Sequence, residues 1–84
     1  MEVENTQQII EVLKRLIANE QNLPLANIQD QSSFFDLGLD SISAVYLMEL
    51  AENELNVKLT PLDFWDYPTI EQFAKNIFNQ NFKR

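Results

Sequence analysis

The last third of the chain carries apolar residues at a spacing that only a helix brings to one side. From Ile70 to Phe78 they recur at intervals of three and four residues, the period of an α-helix and not of a strand. The same spacing predicts helices over residues 6–19 and 41–55. We therefore predict an all-α fold, a small bundle of three main helices whose apolar sides form one core. The predicted core residues are Ile9, Ile10, Leu13, Leu16, Ile17, Ala44, Leu47, Met48, Ala51, Leu55, Ile70, Phe73, Ala74, Ile77 and Phe78.

The connections between these helices differ in length. Residues 20–40 lack helical periodicity and are rich in polar side chains, which predicts a long loop between the first and second helices. A loop this long in a small domain is more often functional than not. Pro61 predicts one short helix before the last one. We expect Leu23, Leu25, Ile28, Phe34 and Phe35 to pin the loop, and Phe64, Trp65 and Tyr67 to pack against the core or, alternatively, to line a groove or touch a partner.

The residue types that usually carry catalysis are scarce. The 84 residues include no histidine and no cysteine, so the usual base near neutral pH and a thiol nucleophile are both excluded. The acidic residues do not follow the spacing of a calcium-binding loop. We expect no catalytic residue and no metal site, and a protein that binds or is acted upon rather than an enzyme.

The acidic balance bears on partners and location. A net charge of −7 argues against nucleic acid and anionic membranes, and favours partners with basic patches. No signal peptide pattern and no apolar run of about 20 residues is present, so we predict a cytoplasmic monomer without a membrane span. The Met start and the lack of a linker favour a discrete single domain, residues 1–84, over a piece of a larger synthase.

Residues 34–45, FFDLGLDSISAV, place the only glycine of the chain just before the predicted second helix. The first N–H groups of a helix lack internal partners and carry about half a positive charge. An anion carried on Ser41 would be stabilised there. We expect Gly38 to turn the chain and to leave room beside the serine for a modifying enzyme. Asp40 is placed to cap the helix.

Ser41 admits two interpretations from this pattern. Serine and aspartate are the ordinary residues at helix starts, so the pair is either a cap or a serine displayed to solvent. Asp40 can cap alone, and Ala44 stands where a capping box needs Glu or Gln. The outer side of the helix also carries apolar residues, which is typical of a docking surface. The residues expected on this side are Ser41, Ile42, Val45, Tyr46, Glu49 and Glu52.

The same stretch resembles the prosthetic-group attachment site of acyl carrier proteins, whose core is Gly-x-Asp-Ser followed by an aliphatic residue. Residues 55–74, LNVKLTPLDFWDYPTIEQFA, are similar to the second half of carrier domains of the polyketide-synthase type. The two motifs stand at the spacing found in the family, and the first helix and long loop fit its layout. The resemblance implies the acyl-carrier fold.

The resemblance also implies a function. Ser41 would carry phosphopantetheine, donated by coenzyme A and attached by a separate phosphopantetheinyl transferase. The thiol of this arm would hold acyl groups as thioesters, so the reactive sulfur arrives with the cofactor. Asp40 would assist the transferase, and Gly38 would form the turn. A loading enzyme or acyltransferase, and a ketosynthase or other thioester-processing enzymes, would read the helix side formed by Ile42, Val45, Tyr46, Glu49 and Glu52.

Two departures from the family pattern bear on the pathway. Carriers of fatty acid synthesis place acids two and five residues after the serine, where Ser43 and Tyr46 stand here; this favours polyketide or related specialised-metabolite biosynthesis. Peptidyl carriers commonly have glycine where Leu39 stands, which favours acyl over aminoacyl cargo. The alternatives are a peptidyl carrier of a nonribosomal peptide pathway, and an unmodified helical adaptor that binds a protein through Ile42, Val45 and Tyr46.

Overall fold

Helices form nearly all the regular structure of the computed structural model, which describes residues 3–82 and, for Pro61, the backbone alone. Within this range no strand occurs, and a single antiparallel bridge joins Ser33 to Thr69. The all-α prediction is confirmed, and the second helix has the predicted bounds. The helices are α1 (Thr6–Gln21), α2 (Ser41–Leu55), α3 (Pro61–Asp66) and α4 (Ile70–Asn81), with a short 3₁₀ turn at Leu25–Asn27.

Side chains fix where the helices start and end. Asn5 caps α1, since its Oδ1 accepts from the N–H of Gln8 at 3.1 Å, and the Gln8 side chain accepts from the N–H of Asn5 at 3.3 Å. This reciprocal pair is a capping box. Asn22 and Asn56 end α1 and α2 in the left-handed conformation, with φ of 53° and 57°, which is a common way to stop a helix.

One apolar core lies among the helices, with α1 packed against both α2 and α4. Nearly all the residues predicted to form it are buried; Leu16 and Phe78 are half-buried at its edge. The α2 side of the core is as predicted and consists of Ala44, Leu47, Met48, Ala51 and Leu55.

Phe34 anchors the long loop in this core. Its ring stacks on Phe64 with centroids 4.9 Å apart and meets the edge of Phe73 at 5.3 Å. The N–H of Phe34 donates to the carbonyl of Pro68 at 2.9 Å. A backbone hydrogen bond therefore reinforces the ring contacts at Phe34.

Of the five residues expected to pin the loop, Leu25 does not do so and Phe35 does so only in part. Ile28 and Phe34 are buried, and Leu23 packs at the edge of the core, but Leu25 and Phe35 are exposed. Phe34 and Phe35 lie in a turn; the Phe35 side chain is 46% exposed, although its ring meets the edge of Phe64 with centroids 5.3 Å apart. Leu25 opens the 3₁₀ turn at the surface, and Ile28 just after it takes the place in the core.

The loop also closes the N-terminus of α4. The N–H of Ile70 donates to the carbonyl of Ser32 at 3.1 Å, and the N–H of Glu71 donates to the carbonyl of Asp30 at 2.9 Å. These are amides that a helix cannot satisfy internally. The start of α4 is consequently sealed, whereas the start of α2 faces solvent.

Replacing Phe34 by alanine should destabilise the fold far more than the same change at Phe35. Phe34→Ala removes a fully buried ring and is expected to cost about 3–5 kcal/mol of unfolding free energy. Phe35→Ala, at a side chain that is 46% exposed, loses mainly ring contacts at about 1 kcal/mol. Urea denaturation followed by circular dichroism measures both. Equal losses in the two variants would contradict the anchoring role of Phe34.

Candidate functional site

Ser41 is the first residue of α2, and its side chain is exposed. The chain has four serines, and the other three, Ser32, Ser33 and Ser43, are half-buried. The hydroxyls of Ser32 and Ser33 accept hydrogen bonds from backbone N–H groups of the loop. Ser41 is thus the serine whose hydroxyl is presented to solvent.

Asp40, not Ser41, caps the helix, which confirms the prediction. Its Oδ1 accepts from the N–H of Ser43 at 2.8 Å. The N–H of Ser43, followed by the Ser43 hydroxyl, holds the pKa of Asp40 below its ordinary value. The carboxylate is therefore ionised at neutral pH, directly beside Ser41. Because Asp40 satisfies the helix start, the Ser41 hydroxyl is not needed for capping.

Gly38 forms the predicted turn, and the structure shows which neighbouring side chain occupies the space that a Cβ atom would need. Gly38 has a φ of 90°, which side-chain-bearing residues rarely adopt. A Cβ atom on Gly38 would lie only 2.9 Å from Nε2 of Gln21. The same Nε2 donates to the carbonyl of Leu37 at 3.2 Å. The space at Gly38 therefore admits Gln21, and the expectation that Gly38 also leaves room for a modifying enzyme stays a prediction.

A hollow of about 90 Å³ lies beside Ser41, between α2 and α3. Trp65 forms one wall and is 56% exposed, so the expectation that it packs into the core with Phe64 is wrong, and the alternative of a groove wall holds. Neighbouring positions on a helix differ by about 100°, so burial of Phe64 turns Trp65 outward. Tyr67 is half-buried against the core. The hollow is lined by Ser41, Ala44, Val45, Met48, Phe64 and Trp65.

Exposed apolar side chains concentrate on α2, on α3 and on the loop before Ser41. Ile42 is the most exposed, at 82%. Trp65 joins the two helices to the loop, because its ring centroid lies 5.4 Å from that of Phe35. We call this set the apolar surface; it comprises Phe35, Ile42, Val45, Tyr46, Leu62 and Trp65.

The acidic residues predicted beside this surface differ in availability. Glu49 is exposed, as expected. Glu52 is half-buried, and its Oε2 accepts from the N–H of Leu59 at 2.8 Å. The Glu52 carboxylate therefore also holds the connection between α2 and α3, and its contact with partners stays a prediction. Glu54, two residues further along α2, pairs with Arg15.

The residues of this site suit a side chain that receives a chemical group from another molecule. Ser41 offers an exposed hydroxyl at a helix N-terminus whose partial positive charge suits a phosphate. Within residues 3–82 no cluster of three acidic side chains gathers closely enough to hold a metal ion. The residues present fit a phosphate ester at Ser41, made by another protein.

Comparison with known proteins shows the family to which the chain belongs. The family model described as the phosphopantetheine attachment site matches residues 11–77. The chain belongs to the phosphopantetheine carrier family. Members of this family carry phosphopantetheine covalently, and the acyl-carrier fold predicted from the sequence is confirmed.

The sequence relatives of this carrier include polyketide synthases. It is 33% identical over 70 residues to the non-reducing polyketide synthase terA of Aspergillus terreus, a match that covers 82% of the chain and 3% of the relative. It is 35% identical over 66 residues to the polyketide synthase PksN of Bacillus subtilis, covering 79% of the chain and 1% of the relative. The chain thus spans a very small part of these proteins, and carrier domains of such synthases work with thioester-processing enzymes.

Solved structures of carriers have the same fold. A free-standing peptidyl carrier protein from a secondary metabolic pathway of Acinetobacter baumannii has a TM-score of 0.82 at 28% identity, covering 90% of this chain and 95% of that one. The HMG-ACPI domain of the CurA module from Lyngbya majuscula has a TM-score of 0.77 at 28% identity, covering 95% of this chain and 89% of that one. Within residues 3–82 the carrier has no helix with the length and apolar character needed to cross a membrane.

Removing the Asp40 carboxylate should destabilise the carrier in a pH-dependent way. Its pKa is lowered in the folded state, so its contribution is present at neutral pH and is lost as the pH falls below the ordinary value of 3.8. We expect Asp40→Ala to lower the urea midpoint at about pH 7, with the difference from wild type shrinking toward about pH 3. Asp36→Ala, at an exposed acid of the loop, is the control. A difference for Asp40→Ala that is independent of pH would contradict the cap.

Proposed function

We propose that Ser41 is the phosphopantetheine attachment residue and that this non-catalytic carrier holds acyl intermediates for polyketide or related specialised-metabolite biosynthesis. The observation that carries the proposal is the position of Ser41, the exposed serine of the chain at the open start of α2. The start of α4, by contrast, is sealed by the carbonyls of Ser32 and Asp30. Family membership supplies the group that such a position would receive.

In the proposed attachment, the Ser41 hydroxyl oxygen bonds to the phosphorus that bears the pantetheine chain in coenzyme A. The pyrophosphate bond breaks, adenosine bisphosphate leaves, and the hydroxyl proton passes to a base of the transferase, since the chain has no histidine. Asp40 keeps the start of α2 formed while Ser41 reacts, because it and not Ser41 caps the helix. The attached arm supplies a thiol that forms thioesters.

Acyl cargo is proposed over aminoacyl cargo on the strength of Leu39, which stands where peptidyl carriers commonly have glycine. Leu39 is 3% exposed, so it is a core residue and not a contact for cargo. The likeness to a peptidyl carrier structure favours the second candidate. Loading assays with an acyltransferase and with an amino-acid-activating enzyme separate the two.

The discrete nature of residues 1–84, the monomeric state and the cytoplasmic location stay predictions.

The partner enzymes proposed for this carrier are a phosphopantetheinyl transferase, a loading enzyme or acyltransferase, and a ketosynthase or other thioester-processing enzyme. We propose that they contact the apolar surface through Ile42, Val45 and Tyr46, with Glu49 at its rim. Ile42, Val45 and Tyr46 are all exposed, whereas Glu52 and Glu54 also make bonds within the fold. Apolar burial should therefore contribute more to docking than ion pairs do.

Attachment is tested by intact mass after incubation with coenzyme A and a broad-specificity phosphopantetheinyl transferase. Wild type should gain one phosphopantetheine, Ser41→Ala should gain none, and Ser43→Ala, two residues along the same helix, should gain one. No gain in wild type would favour an unmodified adaptor that binds a protein through Ile42, Val45 and Tyr46. A gain retained in Ser41→Ala would place the attachment elsewhere.

Docking is tested with charge changes on the apolar surface. Val45→Asp should slow loading of the modified carrier about tenfold, because a charge is forced into an apolar contact. Glu49→Lys should slow it a few-fold, with an effect that weakens as salt rises. Leu25→Asp and Glu11→Lys, both at exposed positions away from α2, are the matched controls. Equal effects in controls and test variants would contradict this surface, and circular dichroism checks that all four variants are folded.

A further inference from the structure

The segment before Ser41 is buried at its two ends and partly covered between them, where Leu37 packs at the edge of the core and the Phe35 ring meets that of Phe64. Phe34 and Leu39 are buried, with 1% and 3% of their surface exposed. Phe35, Asp36 and Gly38 lie at the surface. Local bonds shape the turn: the N–H of Gly38 donates to the carbonyl of Phe35 at 3.0 Å, and the N–H of Leu39 donates to that of Phe34 at 3.1 Å. None of these bonds ties the middle of the segment to another helix.

Gln21 supplies that tie. It is the last residue of α1, it is half-buried, and its Nε2 donates to the carbonyl of Leu37 at 3.2 Å. Among the described side chains of α1 it alone makes a hydrogen bond to this segment. The approach depends on Gly38, because a Cβ atom there would sit 2.9 Å from the same Nε2. Gln21 on α1 thus packs against Gly38, which lies three residues before Ser41.

We propose that Gln21 is a positioning residue for the modification of Ser41. Its carboxamide holds the turn at Leu37 and Gly38 on the end of α1, so that the transferase meets Asp40 and Ser41 in one arrangement. This inference rests on the proposed function of Ser41. It adds a contribution from α1, which lies outside both sequence motifs of the attachment site.

The expected size of the effect follows from the hydrogen bond. A net contribution typical of such a bond changes the population of the ordered turn by about 2- to 10-fold. When only a fraction of a protein is competent to bind, its apparent affinity falls by that fraction. Loss of the Gln21 bond should therefore raise the KM of the transferase for the carrier and leave kcat unchanged, because the bound arrangement is the same.

The first test replaces the carboxamide by an apolar group of similar length. In Gln21→Met, hydrogen exchange at the amides of Gly38 and Leu39, measured by NMR, should accelerate about 2- to 10-fold. The transferase KM should rise by up to about 10-fold with kcat unchanged. Gln7→Met, at an exposed glutamine of the same helix, should change neither quantity.

Each outcome bears on the inference. If the wild-type protein is modified but Gln21→Met changes neither the hydrogen exchange nor the transferase KM, the inference is overturned and the proposed function stands. Faster exchange throughout the chain also overturns it, because the role of Gln21 is then one of global stability. Failure of wild type to be modified at all overturns the proposed function and this inference together.

A second test uses the close approach of Gln21 to Gly38. Gly38→Ala should slow modification in the wild-type background, because the residue keeps a positive φ and the new methyl group displaces the end of the Gln21 side chain from the carbonyl of Leu37. In a Gln21→Ala background the same change should have a smaller effect, since only the strain of the positive φ remains. An equal effect in both backgrounds would contradict the contact on which the inference rests.

Discussion

The burial of Phe34 is the interaction on which the rest of the structure depends. A long loop in a chain of 84 residues costs conformational entropy that its polar residues cannot repay. The stacking of Phe34 on Phe64, together with its backbone bond to Pro68, places the loop against the start of α4. The few loop residues that follow Phe34 then turn through Gly38 into α2. The position of Ser41 follows from that anchor.

The two helix starts near the loop differ because of the same anchor. Loop carbonyls occupy the first amides of α4, so that end is closed to any ligand. The start of α2 is capped by one side chain, Asp40, and the residue after it is left exposed. A helix end with partial positive charge and an accessible hydroxyl is suited to a phosphate ester. The fold therefore presents one serine to solvent and engages or partly covers the others.

The sequence predicts the parts of this structure that depend on local pattern. Apolar periodicity gives the helices, because burial of one side is what stabilises them, and Asp40 is recognisable as a cap from its position alone. The site residues that sequence reasoning missed depend on contacts between distant segments. Gln21 carries no pattern, since a glutamine at the end of a helix is ordinary; only the approach of the loop to α1 gives it a role.

The same limit applies at other positions. Phe35 and Trp65 are large and apolar, so composition favours burial. However, Phe35 directly follows Phe34 and Trp65 directly follows Phe64, and Phe34 and Phe64 already occupy the core. Glu52 belongs to the outer arc of α2 by angle, yet the chain returns past it and its carboxylate receives the Leu59 amide. These outcomes are set by the path of the connections, which periodicity does not describe.

The central claim is that the hydroxyl at position 41 is the point at which the prosthetic group is attached. Fragmentation mass spectrometry of the proteolysed, transferase-treated carrier tests it most directly, because it assigns the added group to one side chain. The account predicts phosphopantetheine on Ser41 and none on Ser32, Ser33 or Ser43. Fragments that carry the group on any of those three serines would contradict it.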